Sequence, residues 1–194
     1  MKVEVRKIQL LIFSDLHTDK VDMPEVQPEL VVLLGDIYWR TVEEIDKKYT
    51  CPKIGVLGNH DPFDNYKGTG IHHIHEQVID INGLRITGFG GAPVYSQKET
   101  PQYTEWEAAR FIEKIPAIDL FIAHSNPMLP TYQTDKYSHR GFQAFTTMIH
   151  TKKPSYFLHG HLHIEYEQKI GQTNVLAIYP VKLINIDIQR GVIR

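Results

Sequence analysis

The sequence predicts an α/β fold, and three observations lead to that prediction. Short apolar stretches of strand length alternate along the chain with amphipathic segments of helical period. Polar residues suited to a functional site follow directly after several of the apolar stretches. The final part of the chain carries three more strand-like segments around Gly171 and Pro180. Such alternation favours sheets covered by helices, because each element buries its apolar face against a neighbour.

The predicted strands fall into an early set, a hairpin and a tail. Five apolar stretches have the composition of buried strands, over residues 8–13, 30–34, 53–57, 120–123 and 156–158. Asn82-Gly83 separates two alternating segments and predicts a hairpin with a two-residue turn, formed by residues 78–81 and 84–87. The tail strands are predicted over residues 165–170, 174–178 and 182–188.

Two helices are predicted to begin at capping boxes. Thr41 and Thr104 each precede a Glu by three residues, an arrangement in which side chains satisfy the first backbone N–H groups of a helix. A third helix is predicted from about Gly141. The apolar residues expected to face inward recur at helical spacing: Val42, Ile45 and Tyr49; Ala108, Phe111, Ile112 and Ile115; Phe142, Phe145 and Ile149.

The connection between the first two predicted strands is short and contains Pro24 and Pro28. Parallel strands are usually joined by a crossover helix, and this segment leaves little room for one. We therefore expect one wall of any site built after these strands to be formed by loop rather than by helix.

Length and composition indicate a single domain that is not built to coat a polyanion. The 194 residues are near the usual domain size and contain no linker, so a single domain over residues 1–194 is predicted. A net charge of -2 argues against a protein that coats nucleic acid or an anionic membrane. Cys51 is the only cysteine, which excludes an internal disulfide and permits a reducing compartment. Residues 8–13 are too short to span a membrane and lack a cleavage pattern, so a cytoplasmic protein is expected.

Metal-ligating residue types follow each of the five early strands. The motifs are Asp15-Leu16-His17, Gly35-Asp36, Gly58-Asn59-His60-Asp61, His124 and Gly160-His161-Leu162-His163. Loops after strand carboxyl ends are where α/β folds build their sites. Imidazole and carboxylate suit borderline or hard divalent ions, and the absence of a nearby Cys pair argues against a structural zinc site. Since one carboxylate can bridge two ions, the set predicts a two-metal hydrolytic site.

The ordered set of motifs resembles the calcineurin-like metallophosphoesterase superfamily. The pattern D-x-H, G-D, G-N-H-D/E, H and G-H-x-H is matched in this order from Asp15 to His163. Any one motif recurs by chance, and a lone Asp or Asn at a loop start often only caps a turn, whereas the complete order is specific. The resemblance implies a sandwich of two mixed β-sheets flanked by helices.

The resemblance also implies a role for each motif residue. One ion would be held by Asp15, His17, Asp36 and His163, and the other by Asp36, Asn59, His124 and His161. His60 would be the catalytic residue that donates a proton or a hydrogen bond to the leaving group. We expect two divalent ions, with manganese favoured over iron, zinc, nickel and magnesium because the ligands are oxygen and imidazole. A hydroxide bridging the ions would attack phosphorus.

Finer features resemble small bacterial, archaeal and phage phosphoesterases related to the cyclic-nucleotide phosphodiesterases. These features are residues 88–91, the helix start at Thr104, and His139-Arg140-Gly141. The chain departs from the protein Ser/Thr phosphatases, in which the G-D motif continues to Asp-Arg-Gly, because Asp36 is followed here by residues 37–40 of a different sequence. The Asp that orients the catalytic histidine in those phosphatases is therefore absent.

A phosphodiesterase is the favoured function, on an argument from charge. Two divalent ions, two carboxylates and a bridging hydroxide leave one surplus positive charge, which a singly charged diester neutralises. The partner is expected to be a small phosphoester, of which a nucleotide derivative is one candidate, and neither a membrane nor extended nucleic acid. A phosphomonoesterase or protein phosphatase would use the same centre. A scaffold that binds protein partners is the alternative of another class, although such scaffolds tend to lose metal ligands or the catalytic histidine, and here all are present. A nuclease would need a basic groove.

Several other residues are candidates for the site or its surroundings. His139 and Arg140 offer hydrogen bonding and a cation for a substrate, with a surface loop as the equal alternative. His72, His73 and His75 lack the carboxylates or cysteines of a metal site and are expected to be exposed or packed at an edge. His159 is expected to be packed near the site. The glycine run 88–91 lacks the Lys of a phosphate-binding loop and is expected to form a turn or a backbone wall.

Overall fold

The computed structural model describes residues 3–17, 22–132 and 136–191. Its strands in chain order are β1 (Val3–Phe13), β2 (Leu30–Leu33), β3 (Lys53–Gly55), β4 (His72–His73), β5 (Val78–Ile81), β6 (Leu84–Phe89), β7 (Ala92–Pro93), β8 (Gln102–Tyr103), β9 (Leu120–Ala123), β10 (Tyr156–His159), β11 (Tyr166–Ile170), β12 (Thr173–Ala177) and β13 (Val181–Gly191). The helices are α1 (Trp39–Lys48), α2 (Glu105–Lys114) and α3 (Gln143–Thr151), with short 3-10 turns at Pro130–Tyr132 and Tyr137–His139.

Two mixed sheets form the centre of the molecule. One has the order β13-β1-β2-β3-β4 and the other β11-β12-β10-β9-β6-β5. Neighbouring strands of both sheets run parallel in the middle, from β1 to β4 and from β12 to β6, while β13, β11 and β5 pair antiparallel at the margins. A parallel centre brings the carboxyl ends of several strands to one edge, and this edge carries the candidate site.

The core lies in three layers. Apolar side chains of both sheets, such as Leu10, Val32 and Ile122, meet between them and are fully buried. Helix α1 covers the outer face of the first sheet, and α2 and α3 cover the outer face of the second through a cluster that includes Phe111 and Phe145. The prediction of a two-sheet sandwich flanked by helices is confirmed.

Most predicted elements are present, and one predicted helix start is wrong. The Thr104 capping box forms, with Glu107 N donating to Thr104 Oγ1 at 3.2 Å and Thr104 N to the Glu107 carboxylate at 2.7 Å. Thr41 does not cap a helix, because the N-cap of α1 is Tyr38, three residues earlier, and Thr41 is buried in the first turn. Tyr38 N donates to Leu16 O, so the loop after Asp36 directs the chain into the helix earlier.

The hairpin, the third helix and the tail follow the sequence prediction. Asn82 and Gly83 have φ angles of 51° and 79°, the left-handed pair that a tight hairpin turn requires. Helix α3 begins at Gln143, and β11 to β13 form the tail. In the described part of the connection from β1 to β2, residues 14–17 and 22–29, there is no helix, as the prolines predicted.

His75 is packed at a sheet edge, as expected for this histidine group. Its Nδ1 accepts a hydrogen bond from Gly90 N at 3.0 Å, and its ring stacks on Tyr103 with 4.6 Å between the centroids. Burial lowers the pKa of His75 from 6.5 to about 4, with a smaller contribution from His73 and opposition from Glu107. His75 is therefore neutral in the folded protein at neutral pH.

We expect His75 to make the protein less stable in mild acid. Because the pKa is lower in the folded state, the unfolded chain binds more protons between pH 6.5 and pH 4, so the stabilisation present above pH 6.5 is lost as the pH falls towards 4. The full effect is about 3 kcal/mol. Urea unfolding of wild type and His75→Asn, in which the amide oxygen can still accept from Gly90 N, should give a difference that narrows with falling pH. A difference that does not depend on pH would contradict this assignment.

Candidate metal centre

The carboxyl ends of five strands bring the predicted ligands to one place. Asp15 follows β1, Asp36 follows β2, Asn59 follows β3, and His124 and His161 follow β9 and β10. Two groups of ligand atoms result, each with all atoms within 4.8 Å of one another: Asp15, His17 and His163; and Asp36, His124 and His161.

The two groups are adjacent and differ in exposure. His17 Nε2 of the first group lies 4.0 Å from Asp36 Oδ2 of the second. Asn59 Oδ1 joins the second group at 3.0 Å from His124 Nε2. The second group is buried, whereas the side chains of His17 and His163 are 39% and 46% exposed, so solvent reaches the first group.

The loops that carry these side chains have unusual backbone conformations. Asp15, Asp36, His161 and His163 all have φ between 53° and 70°, the left-handed region that L side chains rarely adopt. Each such residue costs about 1 kcal/mol relative to an ordinary conformation. Four of them around one cluster indicate that the turns are held for the direction in which they project the side chains.

Two motif glycines permit close approach of the loops. A Cβ at Gly58 would overlap the carboxylate of Asp36, and a Cβ at Gly160 would overlap the Ser14 hydroxyl. The glycine of G-N-H-D and the glycine of G-H-x-H are therefore required by packing between motifs, in addition to any local turn preference.

Backbone carbonyls determine which nitrogens of two histidines face the cluster. Leu34 O lies 2.8 Å from His124 Nδ1, and Ser138 O lies 2.8 Å from His161 Nε2. A carbonyl only accepts, so each of these nitrogens carries the proton. In the neutral rings, His124 Nε2 and His161 Nδ1 then present lone pairs to each other at 3.1 Å. Converging lone pairs beside the carboxylate of Asp36 form a donor set that suits a cation.

One oxygen of the Asp15 carboxylate accepts no hydrogen bond from the described residues. Its Oδ2 accepts from Ser14 Oγ at 2.7 Å and from His161 N at 2.8 Å. Its Oδ1 is buried, has no hydrogen-bond partner among the described residues, and lies 3.5 Å from His163 Nε2. A buried and unsatisfied carboxylate oxygen is unfavourable unless a cation is bound beside it, so the first group also fits a metal ion.

The electrostatics of the cluster favour positive charge. Burial opposes ionisation of Asp36, but His124 and the hydrogen bond from His60 N outweigh it, so the pKa of Asp36 is lowered. Burial likewise lowers the pKa of His124, but Asp36 and then Asp15 more than reverse this, and the net pKa of His124 is raised. The carboxylates therefore stabilise a positive charge between them, whether that of a proton or of a metal ion.

Asp61 joins two loops of the cluster, a role that its motif did not predict. Its carboxylate accepts from Asp36 N and Gly58 N at 2.8 Å each, and from Ile37 N at 3.2 Å. Asn65 Nδ2 donates to it at 3.1 Å. Burial, and then the nearby charge of Asp36, raise the pKa of Asp61 to about 7. These hydrogen bonds fix the G-D loop and the G-N-H-D loop relative to each other.

His60 lies at the exposed side of the cluster. Its backbone N donates to Asp36 Oδ1 at 2.7 Å, and its ring meets the ring of His17 edge-on with 5.6 Å between the centroids. The side chain is exposed and belongs to neither group of ligand atoms. This position leaves the imidazole accessible to a molecule bound over the cluster.

One of the two predicted substrate-binding residues, His139, contacts a ligand of the cluster. The His139 ring packs edge-on against His161 at 4.7 Å between the centroids. The Arg140 guanidinium lies 4.1 Å from the centre of the Tyr137 ring instead. Ser138 O, which fixes His161, was missed, because no side-chain pattern indicates where a backbone carbonyl points.

The glycine run forms a wall beside the cluster, as expected. Gly91 N donates to Leu57 O at 2.7 Å, and a Cβ at Gly90 would meet the same carbonyl.

His159 is buried, with its Nε2 3.1 Å from Tyr132 OH, so it is packed next to the cluster as predicted. In the part of the chain that the structure describes, no helix combines the length and hydropathy needed to cross a membrane.

Comparisons with known proteins give a family match and similar folds. A sequence model of the calcineurin-like phosphoesterase superfamily domain matches residues 8–183. An uncharacterized protein of Haemophilus influenzae is 25% identical in an alignment that covers 80% of this chain and 79% of that protein. The fold is similar to TT1561 of Thermus thermophilus, with a TM-score of 0.63, 13% identity and coverage of 94% of this chain and 99% of the other. It is also similar to the phosphopantetheinyl hydrolase PptH of Mycobacterium tuberculosis, with a TM-score of 0.62, 13% identity and coverage of 91% and 95%.

Proposed function

We propose, since the chain belongs to the calcineurin-like phosphoesterase superfamily, that it is a single-domain hydrolase of phosphoric esters that uses two divalent metal ions and prefers diesters. The observation that carries this proposal is the pair of adjacent ligand groups at the carboxyl edge of the two sheets. The position of Asp36 between the groups supports its assignment as the ligand shared by both ions.

Each predicted ligand has a geometry that supports the proposed assignment. Asp15, His17, Asp36 and His163 would hold one ion, and Asp36, Asn59, His124 and His161 the other. Two ions bound there would supply a hydroxide nucleophile and positive charge for the phosphate oxygens. We propose manganese for both positions, because the donors are oxygen and imidazole without thiolate.

The protein residues would position the substrate and assist the leaving group. The imidazole of His60 is exposed beside the more open first group, where it can donate a proton or a hydrogen bond to a departing alkoxide. His139, in ring contact with His161, would contact the substrate beside the second group. The preference for diesters rests on the surplus positive charge of the centre, which a monoanion balances and a dianion exceeds.

We expect chelator-treated protein reactivated with Mn(II) to hydrolyse bis-p-nitrophenyl phosphate with a higher kcat/KM than p-nitrophenyl phosphate. A panel of metals against both esters and a 2′,3′-cyclic nucleotide measures this preference directly. Arg140→Ala should reduce the monoester activity more than the diester activity, because only a dianion needs an extra cation. The exposed Arg85, which lies near Asp80 in the hairpin, provides the matched Arg85→Ala control.

The same panel distinguishes the alternatives. If wild type instead prefers the monoester, and Arg140→Ala leaves the hydrolysis of both esters unchanged, the protein is a phosphomonoesterase and the argument from charge is wrong. Absence of turnover with every metal and ester, in a protein that still binds metal, would favour a scaffold that acts through protein partners.

A further inference from the structure

The amide of the proposed ligand Asn59 is held from outside the cluster by a tyrosine. Asn59 Nδ2 donates to Tyr95 OH at 2.8 Å, while Asn59 Oδ1 lies 3.0 Å from His124 Nε2. Only the oxygen end of an amide can ligate a cation, because the NH₂ end has donors and no lone pair to offer. Rotation of the amide by half a turn would therefore place the wrong end in the second group.

The tyrosine belongs to a loop that is fixed by its own hydrogen bonds. Residues 94–101 connect β7 and β8, and the amide of Gln102 lies at the centre of this loop. Its Oε1 accepts from Tyr95 N and Ser96 N at 3.0 Å each. Its Nε2 donates to Lys98 O and to Thr100 Oγ1 at 3.1 Å each. One side chain thus sets the loop and, through the backbone of Tyr95, the position of the hydroxyl.

From this chain of contacts we propose that Tyr95 is a positioning residue, which holds Asn59 Oδ1 towards the second cation, and that Gln102 places Tyr95. The proposal rests on the proposed function, because it needs an ion in the second group. Tyr95 is half-buried and outside the apolar clusters, so the hydroxyl can be removed without opening the core. Partners that orient metal ligands commonly change metal affinity by roughly 10- to 100-fold.

The test is a calorimetric titration of chelator-treated protein with Mn(II). Wild type should bind two ions. Tyr95→Phe should bind one of them with unchanged affinity and the other roughly 10- to 100-fold more weakly. Gln102→Ala should weaken the same ion, because the loop that presents Tyr95 is released. In the metal-free protein, the NMR signals of the Asn59 side-chain NH₂ should shift in Tyr95→Phe, since their acceptor is lost.

Tyr156→Phe is the matched control. It removes a tyrosine hydroxyl that contacts Asp187 N, at the start of β10 and away from the cluster, and should leave both affinities unchanged. Two-ion binding in wild type with identical affinities in Tyr95→Phe would overturn the inference while leaving the proposed function intact. Binding of fewer than two ions by wild type would overturn both.

Discussion

Asp36→Ala should remove most of the activity, by roughly 10³-fold or more, and should weaken the binding of both ions together. The physical reason is the position of the carboxylate between the two ligand groups, 3.4 Å from His124 Nε2 and 4.0 Å from His17 Nε2. Its removal leaves Asp15 as the carboxylate of the proposed ligand set, so the repulsion between two divalent ions is offset less. Elemental analysis of purified protein and kcat with Mn(II) measure both effects.

Two further variants separate the loss of metal from the loss of structure. Asp36→Asn keeps the shape of the side chain and an oxygen acceptor for His60 N, so its fold should be intact while its affinity for both ions falls. Asp64→Asn changes an exposed carboxylate in the neighbouring loop and should leave the number of bound ions and kcat unchanged. An Asp36→Ala protein that retains two ions, or wild type that is fully active without metal, would show that the shared-ligand assignment is wrong.

His60→Asn should bind metal almost normally and lose roughly 10²-fold or more in turnover on esters with poor leaving groups. The contact of His60 with Asp36 is made by its backbone N, so it survives replacement of the side chain. A p-nitrophenolate leaving group needs little protonation, and the loss should therefore be smaller with it. The measurement is kcat for a series of esters of increasing leaving-group pKa, compared between wild type and variant.

His72→Asn serves as the control for this second prediction. It replaces an exposed histidine of β4 that contacts the side chain of Gln77, and it should not change kcat for any ester. If His60→Asn is impaired equally on good and poor leaving groups, or if it loses bound metal, His60 organises the cluster and does not act as the acid.

The motifs and their order along the chain were sufficient to predict which residues come together at the site. Each ligand motif stands at the end of an apolar stretch, and parallel strands bring such ends to one edge. The order of the motifs was therefore enough to predict that Asp15, Asp36 and His124 lie near one another. Periodicity and turn chemistry were also enough for the hairpin at Asn82-Gly83 and the helix start at Thr104, because both depend on contacts between residues a few positions apart.

The orientation of the ligands and their supporting contacts could not be predicted, because they depend on contacts between distant segments. The tautomers of His124 and His161 depend on Leu34 O and Ser138 O, and the amide of Asn59 depends on Tyr95, in each case across two separate elements. The start of α1, misplaced at Thr41, was likewise set by a hydrogen bond to Leu16 O. Backbone carbonyls are carried by every residue, so no pattern of side chains reveals which one will face a ligand. That choice is made only when distant segments pack together.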